Sequence, residues 1–206
     1  MQIIIHRVNN TSLLKKVPNK YGIEIDVRGY GEKISLSHDP IFSDKSYDSA
    51  EDLLKYYHHD LVVFNMKETG YEKEIIKLAE KYKVKDYFLL DVEFPYLYRA
   101  SRQFDFRKIA VRYSEAEPIE AVEAQIIDKT PLVDWVWIDV NTRLPLNGDV
   151  IKKLNLFKTC LVCPSRWGRP QDISKYQDIM KKLDFKPTAL MTSLEHVEEW
   201  ERFNDL

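Results

Sequence analysis

The feature that most constrains the fold is a repeated alternation between short apolar runs and segments with a helical pattern. Eight runs rich in aliphatic and aromatic residues have the length of strands, and helical stretches or long loops separate them. Strands connected in this way pair in parallel through right-handed crossovers, so the sequence predicts an α/β fold of the compact (β/α)8 TIM-barrel class. An open flavodoxin-like sheet needs only about five strands, which makes it the less favoured alternative. The predicted strands cover residues 2–6, 23–28, 60–65, 87–92, 108–113, 134–140, 160–163 and 189–192.

The composition is that of a globular protein. The 206 residues suffice for one large domain, and no Gly-, Ser- or Pro-rich linker divides them, so we expect a single domain over residues 1–206. Hydrophobic residues make up 44% and charged residues 31%, which excludes a disordered chain. The net charge of −2 offers no electrostatic basis for binding nucleic acid.

A membrane partner is not expected either. No apolar run approaches the ~20 residues that span a bilayer. The apolar residues 2–5 are too short for the core of a signal peptide, and no basic segment precedes them. We therefore expect a cytoplasmic protein, and the sequence leaves its oligomeric state open.

The second predicted strand carries a pair of carboxylates. Apolar and polar residues alternate over residues 23–28, so Glu24 and Asp26 point to the same face. Two neighbouring carboxylates repel each other unless water, a cation or a metal ion accompanies them. A solvated edge strand and a functional pair are both open at this stage. The chain then turns, forms a second short strand and brings His38 and Asp39 back towards the pair.

Polar side chains follow the C-terminal ends of the predicted strands, which is where (β/α)8 barrels build their active sites. Converging carboxylates suit a hard divalent cation such as Mg²⁺ or Ca²⁺, and arginine or lysine suits a phosphate group. Histidines can serve as a general acid and base near neutral pH, although a histidine at a strand end can also be a core residue. The strand ends carry His6, Arg7, Glu24, Asp26, Asn65, Lys67, Asp91, Glu93, Arg112, Asp139 and Arg166.

Three motifs together resemble the signature of a known family of (β/α)8 barrels. The glycerophosphodiester phosphodiesterase family, which is related to the phosphatidylinositol-specific phospholipases C, is similar to this chain in His6-Arg7, Glu24-x-Asp26 and His38-Asp39. The resemblance is strongest over residues 2–40 and continues weakly at 64–67 and 190–193. It implies hydrolysis of a small soluble phosphodiester, such as a glycerophosphodiester or a nucleotide-linked polyol, with a divalent metal, Mg²⁺ or Ca²⁺ and with Mn²⁺ as an alternative.

The resemblance also implies a role for each matching residue. His6 and His38 are the implied acid/base pair, and the sequence does not say which is the acid. Arg7 and Lys67 are the implied phosphate contacts. The implied metal ligands are Glu24 and Asp26.

The chain departs from the family pattern at positions that bear on the metal. Asn65 stands where the third strand of the family carries an acid, and an asparagine offers only a neutral carbonyl oxygen. We hypothesise that Glu93, near the end of the fourth predicted strand, completes the metal site, and the sequence leaves open whether Asn65 or Glu93 does so. Val8 replaces the glycine that follows His-Arg in the family. A catalytically silent barrel that binds a phosphorylated ligand is the alternative function, although both histidines and both carboxylates of the second strand are retained.

A late loop carries a further basic and aromatic motif. Residues 166–169 (Arg-Trp-Gly-Arg) follow the seventh predicted strand, and late βα loops of barrels often hold phosphate. Arg166 is therefore predicted to contact phosphate, and the loop could hold a nucleotide or a sugar. An ordinary connecting loop is the alternative.

Two other motifs are predicted to be structural. Trp135 and Trp137 alternate with aliphatic residues and are expected to pack in the interior instead of stacking on a ligand. Cys160 and Cys163 lie three apart on a predicted strand, so their side chains face opposite sides and are expected to be buried without a disulfide.

Overall fold

The computed structural model describes residues 1–31, 33–43 and 45–204. Contacts between residues divide the chain into two compact units. The N-terminal unit is Ile4–Tyr96, and the C-terminal unit is Met1–Ile3 together with Leu97–Leu206. A single domain over the whole sequence therefore stays a prediction.

The N-terminal unit contains a parallel sheet with one antiparallel extension. Its strands are β1 (Gln2–Ile5), β2 (Gly22–Tyr30), β3 (Lys33–Leu36), β4 (Val62–Met66) and β5 (Tyr87–Leu90). They pair in the order β5–β4–β2–β1, all in parallel, while β3 forms a hairpin with β2. The helices are α1 (Thr11–Leu14), α2 (Ala50–Leu54) and α3 (Glu72–Lys81), and α4 (Phe94–Gln103) leads into the other unit.

The C-terminal unit contains the remaining parallel strands. These are β6 (Ala110–Tyr113), β9 (Trp135–Ile138), β10 (Lys158–Val162) and β11 (Ala189–Thr192), which pair in the order β11–β10–β9–β6. The start of β1 lies beside β11, where the Gln2 backbone N–H donates to the Thr188 carbonyl at 2.9 Å. The unit also contains the hairpin β7 (Ile126–Ile127) and β8 (Thr130–Pro131), and the helices α5 (Ile119–Glu123), α6 (Gly148–Leu154), α7 (Ile173–Lys182) and α8 (Val197–Asn204).

The eight parallel strands confirm the predicted (β/α)8 class. The predicted strand ends agree with the structure to within two residues. In the C-terminal unit α5 ends at Glu123, and the chain then enters the β7–β8 hairpin. A 3-10 turn over Leu194–His196 precedes α8, which becomes α-helical at Val197.

The structural predictions for the tryptophans and cysteines are confirmed. Trp135 and Trp137 are 5% and 3% exposed, so they pack in the interior. Cys160 and Cys163 are buried and form no disulfide. In the part of the chain that the structure describes, none of the helices combines the length and apolarity needed to cross a bilayer.

Candidate active site

The carboxylate pair lies on an internal strand of the N-terminal unit's sheet. β2 pairs with β1 on one side and with β4 on the other, and both Glu24 and Asp26 are only 1% exposed. The interpretation of this strand as a solvated edge strand, which the sequence left open, is therefore wrong. Burying two carboxylates is costly unless each finds hydrogen-bond donors or cations, so the surroundings of these two side chains define the site.

The end of β1 supplies the first partners of Glu24. The Arg7 backbone N–H donates to Glu24 Oε2 at 2.7 Å, and His6 Nε2 lies 3.9 Å from the same oxygen. Arg7 adopts a left-handed backbone (φ 57°), a conformation that is uncommon outside glycine and that aims this N–H at the carboxylate. Val8, in the place of the family glycine, is fully buried, and its N–H donates to the Glu24 carbonyl at 2.8 Å.

Asp26 is held by a residue that the sequence analysis did not single out. Asn9 Nδ2 donates to Asp26 Oδ2 at 2.8 Å, and Asn9 Oδ1 accepts from the Asp26 backbone N–H, also at 2.8 Å. The amide thus binds both ends of the same residue and fixes its carboxylate. Arg7 Nε lies 3.8 Å from Asp26 Oδ2. The signal available in the sequence was the pair of asparagines, Asn9 and Asn10, that follows the His6-Arg7 motif after one intervening residue.

Lys67 lies at the other side of Asp26. Its Nζ is 3.1 Å from Asp26 Oδ1 and 3.9 Å from Asp91 Oδ2, and the side chain is only 16% exposed. β5 ends at Leu90, two residues earlier than predicted, so Asp91 follows the strand directly, with a left-handed backbone (φ 59°). The structure therefore brings Asp91, and not Glu93, towards Lys67. Glu93 is exposed at the start of α4, and its predicted role as a metal ligand stays untested.

Asn65 contacts the carboxylate pair through its amide. Asn65 Nδ2 donates to Glu24 Oε1 at 2.8 Å, whereas Asn65 Oδ1 is buried without a hydrogen-bond partner among the described residues. A buried carbonyl oxygen without a donor is energetically unfavourable. The Asn65 oxygen belongs to the same side chain that contacts Glu24. A hard cation bound beside the pair would therefore have two carboxylates and one amide oxygen as candidate ligands.

These residues fit a hard divalent cation, but they form a weak site for one. Glu24, Asp26 and Asn65 offer oxygen ligands, and each carboxylate oxygen already has a protein donor or cation beside it. Within the described ranges, no three His, Cys, Asp or Glu side chains are grouped closely enough to hold a metal by themselves. The Asn65 oxygen is therefore the additional oxygen that this set of side chains could offer to a cation in place of a third acid.

The pair is electrostatically strained. Burial and, after it, the negative charge of Asp26 together raise the pKa of Glu24 to about 7. Hydrogen bonds from Asn65 and Arg7 and the charge of Lys67 act in the opposite direction. Burial and the like charge outweigh these donors, so Glu24 is partly protonated near neutral pH in the absence of an added cation.

His38 reaches the N-terminal unit's strand ends through the β2–β3 hairpin. The Ser37 N–H donates to the Asp26 carbonyl at 3.1 Å, and Arg28 Nη2 donates to the His38 carbonyl at 2.9 Å. These two bonds hold the backbone at the Ser37 N–H and at the His38 carbonyl, on either side of the His38 backbone nitrogen. His38 Nδ1 lies 2.9 Å from Asp39 Oδ1, and this hydrogen bond lowers the pKa of Asp39. The ring is 42% exposed, so its Nε2 can meet a ligand from solvent.

Arg28 owes its position to Glu68, a second residue that sequence reasoning missed. Glu68 accepts from Arg28 Nη1 at 2.6 Å and from the Gly29 N–H at 2.7 Å. The remaining predicted residue, Arg166, belongs to the C-terminal unit, where its guanidinium lies over the Trp167 ring. Of the other predicted residues, those in contact with the Glu24–Asp26 pair are His6, Arg7, Asn65 and Lys67. His38 and Glu93 belong to the same N-terminal unit.

Solved structures with this fold include two bacterial enzymes. A glycerophosphodiester phosphodiesterase from Agrobacterium tumefaciens matches 93% of this chain and 96% of its own, with a TM-score of 0.64 and 11% identity. A glycerophosphoryl diester phosphodiesterase from Parabacteroides distasonis matches 93% of this chain and 82% of its own, with a TM-score of 0.60 and 10% identity. No protein-family model matches the sequence, and no curated protein is significantly similar to it.

The structural likeness confirms the fold that the three sequence motifs suggested. At this level of identity it extends to the fold alone, because one barrel architecture hosts many chemistries. What the chain does has to be argued from its own site.

Proposed function

We propose that this protein is a metal-dependent phosphoric diester hydrolase of the glycerophosphodiester phosphodiesterase type. The observation that carries the proposal is the buried Glu24–Asp26 pair, which has His6, Arg7 and Lys67 around it at the ends of β1 and β4. The fold shared with two enzymes of that name supports the same reaction class. The substrate would be a small soluble diester, either glycerophosphodiester-like or a nucleotide-linked polyol.

Two histidines supply the proton transfers. One takes a proton from the attacking hydroxyl, which belongs to water or to the substrate, and the other donates a proton to the leaving oxygen. Asp39 holds Nδ1 of His38, so Nε2 is the nitrogen of that ring that exchanges a proton with the substrate. His6 is 20% exposed, and its Nε2 faces Glu24. Either assignment of acid and base is compatible with this arrangement.

Two cationic side chains, those of Arg7 and Lys67, bind the phosphate. Lys67 and Arg7 each lie within 4 Å of Asp26, which holds them at the strand ends without shielding them completely. The left-handed backbone at Arg7 separates two tasks of one residue: its N–H fixes Glu24, and its side chain remains 37% exposed for an anion. A guanidinium and an ammonium together suit the non-bridging oxygens of a phosphodiester.

The metal ligands would be Glu24, Asp26 and the carbonyl oxygen of Asn65, with Mg²⁺ or Ca²⁺ as the candidates and Mn²⁺ as a third. When bound, such a cation neutralises phosphate charge and lowers the pKa of a coordinated hydroxyl. Asn9 supports the set by holding Asp26 in one orientation. Glu93 would join only if the exposed start of α4 approached the pair.

The proposal is tested by assaying glycerophosphodiesters, nucleotide-linked polyols and bis-p-nitrophenyl phosphate with Mg²⁺, Ca²⁺ or Mn²⁺ and with EDTA. We expect hydrolysis of at least one diester that requires a divalent metal. Absence of turnover with every diester and metal, while phosphate or phosphodiester binding persists, would favour the catalytically silent barrel instead.

Asn65 limits the affinity for the metal, so replacing it should strengthen binding. We expect Asn65→Asp to bind Mg²⁺ or Ca²⁺ about ten-fold more tightly than the wild type, because ligand charge sets the affinity of oxygen sites. The added buried carboxylate also loses the Nδ2 donor to Glu24, so the metal-free variant should melt at a lower temperature than the wild type. Isothermal titration calorimetry and thermal denaturation with and without metal measure both effects.

The matched control is Asn155→Asp, which adds the same charge at an exposed helix end. It should leave metal affinity and melting temperature unchanged. Equal metal affinity in Asn65→Asp and the wild type would remove Asn65 from the ligand set.

A further inference from the structure

The C-terminal unit carries one tryptophan that packing does not explain. The chain has four tryptophans; Trp135, Trp137 and Trp200 are at most 5% exposed, whereas Trp167 is 42% exposed. Trp167 ends a 3-10 turn, Pro164–Trp167, that follows β10. Gly168 ends this turn with φ 71°, a left-handed conformation that favours glycine. This conformation sets the direction of the chain after Trp167.

The exposed ring is nevertheless fixed in place. Trp167 Nε1 donates to Asp139 Oδ1 at 2.7 Å, and the Asp139 side chain is only 8% exposed. Asp139 is held in turn by the Val140 N–H at 2.8 Å and by Arg112 Nη1 at 3.0 Å. A hydrogen bond to a buried, doubly anchored carboxylate orients the indole before any ligand arrives, which lowers the entropic cost of binding.

The next residue of the loop adds a second anchor. Arg169 donates to Asp172 Oδ2 at 2.7 Å, to the Tyr176 hydroxyl at 2.8 Å and to the Val140 carbonyl. The loop is therefore tied to the start of α7 and to the end of β9. These bonds also occupy the polar groups of Arg169 and Asp172, which leaves them few positions for ligand hydroxyls.

Arg166 differs from Arg169 in having no acidic partner in the part of the chain that the structure describes. Its Cζ lies 5.2 Å from the centroid of the Trp167 ring, and no carboxylate among the described residues lies within ion-pair distance of its guanidinium. A guanidinium stacked on an aromatic ring keeps its in-plane N–H donors available. An anion can therefore bind at Arg166 without displacing an internal salt bridge.

We propose that Trp167 and Arg166 form a binding site for a nucleotide. The heterocyclic base stacks on the exposed part of the indole, and the guanidinium donates to the phosphate. Base stacking needs only an aromatic face, whereas a sugar needs several hydrogen-bonding side chains around the ring, and those of this loop are engaged internally. The site is specific for a heterocyclic base joined to a phosphate, because Trp167 binds the base and Arg166 binds the phosphate.

The test is titration of the full-length protein with AMP and CMP, followed by tryptophan fluorescence and by calorimetry. We expect saturable quenching of the exposed Trp167, and much weaker binding of ribose 5-phosphate and inorganic phosphate. Trp167→Ala should weaken nucleotide binding about 5- to 150-fold, the range measured for loss of one stacked base. Arg166→Gln should weaken it about ten-fold, and Arg166→Lys less, because a charged donor is retained.

Arg143→Gln, which removes an exposed charge of the same unit, is the matched control and should bind as the wild type does. Ribose 5-phosphate binding as tightly as AMP, or unchanged nucleotide binding in Trp167→Ala, would overturn the proposal. Tighter binding of a short oligonucleotide than of its mononucleotide would also overturn it, in favour of a nucleic-acid surface. Binding is measured without turnover, so the outcome is independent of the phosphodiesterase assay.

Discussion

Replacing His6 by alanine is expected to lower the rate of phosphodiester hydrolysis by a factor of about 10² to 10⁴, the usual contribution of one general acid or base. The imidazole lies at the end of β1, 3.9 Å from the buried Glu24 carboxylate, and its own side chain remains 20% exposed. His38→Ala should have an effect of the same order, because the hairpin and Asp39 hold that ring with Nε2 available. Initial rates with the best diester, at saturating metal, measure both.

The matched control for these variants is His58→Ala, an exposed histidine of the same unit. It should retain wild-type activity. Metal binding by calorimetry should survive in His6→Ala, since the oxygen ligands are untouched. Activity within a few-fold of the wild type in a folded His6→Ala protein that binds metal would remove His6 from the mechanism.

The sequence predicted the strands and the carboxylate pair because both depend on local patterns. Alternation along β2 placed Glu24 and Asp26 on one face, and their near-complete burial agrees with a pair that has a function. Whether that face was buried could not be read from β2 alone. It depended on β1 and β4 pairing on its two sides, which is a long-range property.

The parts that the sequence could not provide are set by loop conformation. Asn9 reaches Asp26 only because the chain turns back after the left-handed Arg7, and no local pattern predicts that turn. The end of β5 decides between Asp91 and Glu93, and an error of two residues in a strand end changes which acid faces Lys67. Strand ends are also the least reliable part of any pattern-based assignment.

Glu24→Gln is expected to stabilise the metal-free protein at pH 8 while abolishing metal-dependent activity. The pKa of Glu24 is raised from 4.5 to about 7 in the folded state, so the folded protein binds this proton more tightly than the unfolded chain does. Stability is therefore lost as the pH rises from about 4.5 to about 7, and above that range the loss amounts to about 3 kcal/mol. The neutral amide does not titrate and avoids this loss.

The new amide can also be accommodated without losing hydrogen bonds. Asn65 Oδ1 has no partner among the described residues, so a rotation of the Asn65 amide lets this oxygen accept from the introduced N–H₂ group. The other oxygen position continues to accept from the Arg7 N–H. Thermal denaturation in EDTA should then show a melting temperature about 6–12 °C above that of the wild type at pH 8, and a difference near zero at pH 4.5.

The pH dependence separates this effect from a general gain in stability. Glu80→Gln removes an exposed carboxylate of α3 and should shift neither the melting temperature nor its pH profile. A saturating divalent metal should reduce the difference in melting temperature between the wild type and Glu24→Gln, because the cation stabilises the ionised pair only in the wild type. Two results would contradict an electrostatically unfavourable carboxylate pair: a Glu24→Gln variant that melts below the wild type at pH 8, or a difference in melting temperature that is the same at pH 4.5 and pH 8. Either result would also mean that keeping this pair ionised, ready for a cation, does not destabilise the protein.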